Sequence, residues 1–145
     1  MIKILCVGKI KEKYLEELIN DYVKRINKYH RLEIVEVKDD DNYSKEIDNI
    51  INKINPKDYN IALNINGNSF NSLEFASFID KTMQINSNIT FIIGGSNGLN
   101  DKVLNLVNTS ISFSALTFPH GLFRGILLEQ IYRAFKINNN ETYHK

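Results

Sequence analysis

Two stretches of the chain place glycine or small polar residues where a ligand could contact the backbone. The first is IGGSNG, in which Gly94, Gly95 and Gly98 directly follow an apolar segment. Glycine permits positive φ angles and lets a ligand approach the main chain, as phosphate-binding loops require. The pattern is neither GxGxxG nor a P-loop with its Lys-Ser/Thr pair, so a tight strand-to-helix turn stays open as the alternative.

The second stretch is SFSALTFPH, residues 112–120. Here Ser112, Ser114 and Thr117 alternate with phenylalanine and leucine, so that small polar groups stand beside apolar walls. Such a loop suits an adenosine, because backbone amides can bind the edge of the base while apolar side chains cover its faces. A plain connection between a strand and a helix is the alternative.

A long helix is predicted after this loop. Phe123, Leu127 and Ile131 fall on one stripe at helical spacing, and the stripe continues through Ala134 and Phe135. His120 and Arg124 extend the stripe towards its N-terminal end. Polar groups in such a position need a ligand, a carboxylate or a second subunit as partner.

Further polar residues lie towards the C-terminus. Glu129 and Arg133 are four residues apart, which predicts either an ordinary salt pair or an arginine that faces a site or a dimer partner. The tail ETYHK carries Tyr143 and His144. Most tails are disordered, so spacing alone gives these two residues little weight.

The segments that must position these residues alternate between strand and helix patterns. Apolar runs predict strands at residues 2–7, 32–37, 60–66, 89–93 and 110–113, with Gly67–Asn68 as the turn after the third. The alternation in LEIVEV indicates an edge strand, and Asn71 with Glu74 has capping-box spacing. Helical spacing covers residues 15–26, 47–54, 73–83 and 101–107, and the last helix begins at Pro119. We therefore expect one α/β domain over residues 1–145, with a mostly parallel sheet and helices on both faces.

Composition restricts the class of protein. The chain has 145 residues, 43% hydrophobic and 24% charged, with a net charge of +1, which is ordinary for a globular domain and does not by itself indicate nucleic-acid binding. Residues 1–31 are nevertheless basic, and Asp39–Asp41 reads as a solvated acidic turn rather than a metal site. With Cys6 as its single cysteine, the chain cannot form an internal disulfide. No apolar run has the length of a membrane span, and the apolar start is too short for a signal peptide, so we expect a cytoplasmic protein.

Taken together, these segments resemble one known family. The GGSNGL turn, SFSALTFPH, LLEQIYRAF and the terminal YHK are similar to the ribosomal large subunit methyltransferase H family of the SPOUT class, and IKILCVGKIKEKY and NIALNINGN match as well. The resemblance implies a C-terminal trefoil knot, a homodimer, and S-adenosyl-L-methionine as cofactor. It also implies the substrate, which is N3 of a pseudouridine in helix 69 of 23S rRNA in the assembled ribosome. It implies no membrane association, no DNA partner and no metal site.

The same resemblance assigns site residues. It implies a cofactor pocket formed by Leu63, Gly94 and the loop Phe113, Ser114, Ala115, Leu116, Thr117 and Phe118. It implies catalytic roles for Arg133, Tyr143 and His144, with one subunit's tail completing the other subunit's pocket. Two rival functions are a non-catalytic ribosome- or RNA-binding module with this fold and a nucleotide-binding oxidoreductase. The turn after the first strand lacks the glycine spacing of the oxidoreductase.

Two features depart from the family pattern. The segment around Asp39–Ser44 is shorter than in typical relatives. Gly121 and Gly125 lie in the first turns of the last helix, where each glycine costs about 1 kcal/mol in helix propensity.

Overall fold

The computed structural model describes all residues from Met1 to Lys145. Five strands and five helices alternate along the chain: β1 (Ile2–Val7), α1 (Lys13–Ile26), β2 (Leu32–Val37), α2 (Tyr43–Ile51), β3 (Tyr59–Ser69), α3 (Ser72–Ile85), β4 (Ile89–Ile92), α4 (Asp101–Leu104), β5 (Thr109–Ser112) and α5 (His120–Asn138). The strands form one parallel sheet in the order β2-β1-β4-β3-β5. The predicted α/β class is confirmed, and β2 is indeed an edge strand.

Alternate residues of each strand face opposite sides of the sheet, and helices cover both sides. Along β1, Ile2, Ile4 and Cys6 pack with α1, α3 and α5 in the larger of two core clusters. Leu5 and Val7 point the other way and pack with α2 and α4. Strands buried on both faces read as continuous apolar runs, which is why the strand prediction from short runs succeeded.

Side-chain caps set the starts of several helices. Asn71 accepts a hydrogen bond from the backbone N–H of Glu74, and Glu74 accepts one from that of Asn71, which confirms the predicted capping box. The Asn42 side chain caps α2 by accepting from Lys45 N at 3.2 Å, so α2 begins at Tyr43, earlier than its isoleucine spacing indicated. Pro119 is the N-cap of α5, as expected of a residue without an N–H.

The expected turn at Gly67–Asn68 is wrong. Strand β3 continues through both residues to Ser69, and Asn68 pairs with Ile111 of β5 after an irregularity that begins at Leu63. A Cβ atom on Gly67 would lie 2.6 Å from the carbonyl carbon of Ser110. The glycine therefore serves the close approach of β5 to β3, and its effect is to extend the strand.

The two glycines of α5 serve the packing of α5 against α1 and against the loop that precedes it. A Cβ atom on Gly121 would lie 3.2 Å from Ile10 Cδ1, and one on Gly125 would lie 3.0 Å from Leu18 Cδ2. The cost in helix propensity is thus accompanied by a closer helix–helix contact. None of the five helices has the length and apolar character that crossing a membrane requires.

Candidate functional site

A cavity of about 360 Å³ opens where β3, β4 and β5 end and α5 begins. We call it the strand-end cavity. Its walls are formed by Leu63, Asn64, Ile65, Asn66, Ile93, Gly94, Gly95, Ser96, Gly98, Leu99, Ile111, Phe113, Ser114, Leu116, Thr117, Phe118, His120 and Phe123. The carboxyl ends of parallel strands are where open α/β sheets bind their ligands.

Most of the residues predicted for the cofactor pocket meet in this cavity. Leu63, Gly94 and the loop 113–118 all line it, except Ala115. Ala115 lies in the same loop, but its exposed side chain is not part of the cavity wall. The two glycine- and serine-containing stretches, which are separate in the sequence, thus form one site.

The IGGSNG segment is a tight turn that also lines the cavity. Gly95 and Gly98 pair as an isolated antiparallel bridge, and Gly98 has a φ of +71°. A Cβ atom on Gly94 would lie 2.7 Å from the carbonyl carbon of Gly98. The tight turn is therefore confirmed, and the same turn presents its backbone to the cavity.

The loop 113–118 combines an anchored aromatic wall with internally bonded serines. Phe113 makes edge contacts with Phe75 and Phe123, whose ring also stacks on Phe118 at 6.2 Å between centroids. Ser114 Oγ accepts from the Leu116 N–H at 3.0 Å, and Ser112 Oγ donates to the Ser114 carbonyl at 3.2 Å. The serine hydroxyls thus shape the loop.

Some walls of the cavity were missed by the sequence analysis. Asn64, Ile65 and Asn66 belong to the part of β3 that extends past its pairing with β4. The alternation of Leu63 and Ile65 within NIALNINGN was an available signal, but the following Gly67 was interpreted as a turn. Ile65 and Leu116 are 60% and 70% exposed, so the mouth of the cavity has an apolar rim.

A second polar cluster lies at the other end of α5. Arg133 forms an ion pair with Glu129 at 2.8 Å and its Nη1 lies 3.1 Å from Nδ1 of His144. Tyr143 donates its hydroxyl to Glu129 at 2.9 Å, and its ring centroid lies 4.8 Å from the Arg133 guanidinium carbon. Because a guanidinium can only donate, Nδ1 of His144 is the acceptor of its contact.

Electrostatics keep Arg133 and Tyr143 each in one protonation state. The hydrogen bond to Glu129 raises the pKa of Arg133, so the guanidinium stays charged. Burial, followed by the hydrogen bond to Glu129, raises the pKa of Tyr143, so its hydroxyl stays protonated. The fold thus brings together the three residues predicted as catalytic, Arg133, Tyr143 and His144. The predicted salt pair between Glu129 and Arg133 is also present.

The cluster is remote from the strand-end cavity of its own chain. His120 lines that cavity, and Arg133 follows thirteen residues later on the same helix. At a rise of 1.5 Å per residue, the two side chains are about 20 Å apart along the helix axis. Within one chain, the two predicted halves of the site do not meet.

A larger cavity, of about 760 Å³, lies next to the strand-end cavity. It is bounded by the ends of β1 and β2, by α2 and by the start of α5, and it shares Gly95, Ser96 and His120 with its neighbour. No group of three or more His, Cys, Asp or Glu side chains is arranged to hold a metal ion.

An ion pair between a buried arginine and a partly exposed glutamate supports this part of the molecule. Arg124 is 2% exposed, its Nη1 lies 2.7 Å from Glu36 of β2, and its Nη2 donates to the Gly8 carbonyl at 3.3 Å. The partner of Arg124 is therefore a carboxylate. The sequence had left a ligand, a carboxylate and a second subunit open as alternatives. Its Nε has no partner.

Comparison with solved structures identifies the fold. A probable methylase family protein from Haemophilus influenzae superposes with a TM-score of 0.56 at 14% identity, covering 99% of this chain and 70% of that protein. The SpoU methyltransferase AviRb from Streptomyces viridochromogenes, solved with the cofactor AdoMet, gives 0.51 at 11% identity, covering 96% and 58%. At these identities the likeness concerns the fold, and that fold is the one of a class of methyltransferases.

Sequence comparison shows to which family of methyltransferases the chain belongs. The family model described as "Predicted SPOUT methyltransferase" matches residues 1–144. Proteins named "Ribosomal RNA large subunit methyltransferase H" from Clostridium botulinum and Streptococcus uberis are 48% and 47% identical, each over 99% of both chains. The chain belongs to the SPOUT methyltransferases and, among them, to the ribosomal RNA large subunit methyltransferase H family. The alignments span 157 positions against 145 residues here, so this chain is shorter than these relatives.

Proposed function

We propose that the chain transfers a methyl group from S-adenosyl-L-methionine to N3 of a pseudouridine in helix 69 of 23S rRNA, in the assembled ribosome and as a homodimer. One observation carries the proposal. The strand-end cavity collects the predicted cofactor residues, while the Arg133–Tyr143–His144 cluster lies at the far end of the same helix. A second copy can supply the cluster to the cavity.

The residues of the strand-end cavity fit the methyl donor. A volume of about 360 Å³ is within the usual range for a site that buries a cofactor. Phe113, Phe118 and Leu116 offer apolar faces for an adenine, and the turn at Gly94 offers backbone groups to its polar edges. When bound, the donor supplies a methyl group already activated on a sulfonium, so the protein mainly has to position the acceptor nitrogen.

The cluster would act on the acceptor. The N3 of a pseudouridine is an imide nitrogen, which becomes nucleophilic only when its proton leaves. In our proposal His144 accepts that proton at Nδ1, once Arg133 has turned to the carbonyl oxygens on which negative charge develops. Tyr143, whose hydroxyl stays protonated, orients the tail through Glu129 or stacks on the base.

A homodimer would complete two equivalent sites at once. In a twofold dimer the contact from one tail to the partner's cavity is repeated in the other direction. A domain with a net charge of +1 also has little charge for binding RNA by itself. Specificity would then come from the folded ribosomal surface, which both subunits can contact.

Complementation between two inactive variants tests this arrangement. Thr117→Arg places a long side chain in the strand-end cavity, and His144→Ala removes the base. When the two variants are co-expressed, half of the dimers combine them, and one site of each such dimer is intact, so about a quarter of wild-type activity should return. If each site is built from one chain, the mixture stays inactive.

Two assays separate this proposal from its rivals. Calorimetry should show binding of S-adenosyl-L-methionine and none of NADH, which distinguishes it from an oxidoreductase. Methyl transfer to ribosomes purified from cells lacking the modification distinguishes an enzyme from a non-catalytic ribosome- or RNA-binding module. Binding of the donor without any transfer to these ribosomes would leave the binding module as the function.

A further inference from the structure

The larger cavity is next to the strand-end cavity and has the size and the polarity of a nucleotide site. Its volume of about 760 Å³ accommodates a base, a ribose and a phosphate. Exposed Lys9, Lys11 and Lys38 stand on its wall. Ammonium groups at the edge of a polar cavity suit the phosphates of a nucleic-acid backbone.

One carboxylate in this cavity is buried and has no protein partner. Glu46 is 6% exposed, yet it takes part in none of the ion pairs of the structure, and its carboxylate accepts no hydrogen bond from the protein. Burying a carboxylate without donors is unfavourable. The Glu46 oxygens are not among the fully enclosed unpaired atoms, so the carboxylate opens into the cavity, where a ligand can donate to it.

The position of this carboxylate is set by the glycine turn. An ideal Cβ atom on Gly95 would lie 3.0 Å from Glu46 Oε2 and 3.3 Å from Oε1. The carboxylate therefore rests against the same turn whose other side lines the strand-end cavity. A base held by Glu46 would lie directly beside that cavity, because the two cavities adjoin at Gly95, Ser96 and His120, which line both.

A ligand of this carboxylate must donate hydrogen bonds. A cation is not favoured, because no three acidic or imidazole groups converge here. Of the other carboxylates that line the cavity, Glu36 is paired with Arg124, and Glu12 and Asp39 are exposed to solvent. What remains is an N–H donor on a molecule that also carries phosphates for the lysines, which describes a nucleotide with an N–H on its base edge.

We propose that the larger cavity holds the acceptor nucleotide and that Glu46 accepts a hydrogen bond from N1–H of the pseudouridine. This inference rests on the proposed function. Pseudouridine is attached to its ribose through carbon, so N1 keeps a hydrogen, whereas in uridine N1 is bonded to the ribose. A carboxylate at this position would distinguish the two nucleosides while N3 remains directed at the methyl donor.

The test compares two kinds of ribosome. One carries pseudouridine at the target position, and the other, from cells without the pseudouridine synthase, carries uridine. Glu46→Leu should lower kcat/KM on pseudouridine ribosomes by about 10- to 150-fold, the usual value of one hydrogen bond to a charged group. Uridine ribosomes are assayed in single turnover at high enzyme concentration. On them the methylation rate of Glu46→Leu should stay within about twofold of wild type, because uridine has no N1–H to donate to Glu46.

Two further variants and two controls complete the experiment. Glu46→Gln keeps a neutral acceptor and should recover part of the discrimination. Asp48→Asn, on the exposed side of the same helix, should change nothing. For Glu46→Leu, the affinity for S-adenosyl-L-methionine should match wild type and the unfolding temperature should be equal or higher, since the buried carboxylate loses no hydrogen-bond donor.

Each outcome decides the inference. A fall in kcat/KM confined to pseudouridine ribosomes supports it. Equal losses on both ribosomes, or none on either, would overturn it while leaving the proposed function standing. Wild-type protein that binds the donor but methylates neither ribosome would overturn the proposed function, and the inference with it.

Discussion

The ion pair between Arg124 and Glu36 connects the first turns of α5 to the edge strand β2, beneath the larger cavity. Replacing Glu36 by glutamine keeps the shape of the side chain and removes its charge. Arg124, which is 2% exposed, then keeps its positive charge with only the Gly8 carbonyl as a full partner and a weaker neutral acceptor at position 36. The variant therefore isolates the cost of leaving a buried guanidinium uncompensated.

The expected magnitude follows from the burial of the two partners. Breaking a fully buried pair usually costs 3–5 kcal/mol, because one charge is left without compensation. Glu36 is 35% exposed, so water screens part of the interaction and we expect about 2–3 kcal/mol. For a domain of this size, that lowers the unfolding temperature by about 6–10 °C.

Thermal and urea unfolding at one fixed protein concentration measure this change, since association would otherwise shift the apparent stability. Asp21→Asn is the matched control, because it breaks the exposed Arg25–Asp21 pair at 3.0 Å, which water screens, and it should change stability far less than Glu36→Gln. Combining Glu36→Gln with Arg124→Met should recover part of the loss. If Glu36→Gln is no more destabilising than the control, the buried pair does not support the cavity as we argue.

Three further predictions concern the catalytic tail, the sheet and the thiol. His144→Ala should slow methyl transfer by about 10²–10⁴-fold while calorimetry finds the donor affinity unchanged, and equal loss of both would refute its role as a base. Gly67→Ala should destabilise the fold by about 1–3 kcal/mol in urea, because its Cβ would contact the Ser110 backbone; unchanged stability would mean that β3 and β5 separate freely. Burial raises the pKa of Cys6 to about 12, so Ellman's reagent at pH 8 should label it only after unfolding, and rapid labelling of the native protein would contradict its burial.

Much of the fold could be predicted because it depends on local periodicity. The continuous apolar run of β1, the alternation of LEIVEV and the capping box at Asn71 each report an interaction between residues close in sequence. Their boundaries were less predictable. The start of α2 depends on one cap at Asn42, and the end of β3 depends on β5.

The strand-end cavity was partly predictable for a physical reason. Parallel strands place their carboxyl ends at one edge of the sheet, so the segments after β4 and β5 had to be neighbours. Gly67 shows the limit of this reasoning. Glycine suits a turn and a close backbone approach equally well, and only the approach of Ser110 selects the second.

The sequence by itself determined the class of fold, the family and the two segments that line the strand-end cavity. The tertiary structure alone decided which charges from separate elements meet. Arg124 and Glu36 are 88 residues apart, and Glu46 lies against Gly95 with no partner of its own. Such contacts produce no periodic pattern in the sequence, because they depend on how separate elements approach each other in space.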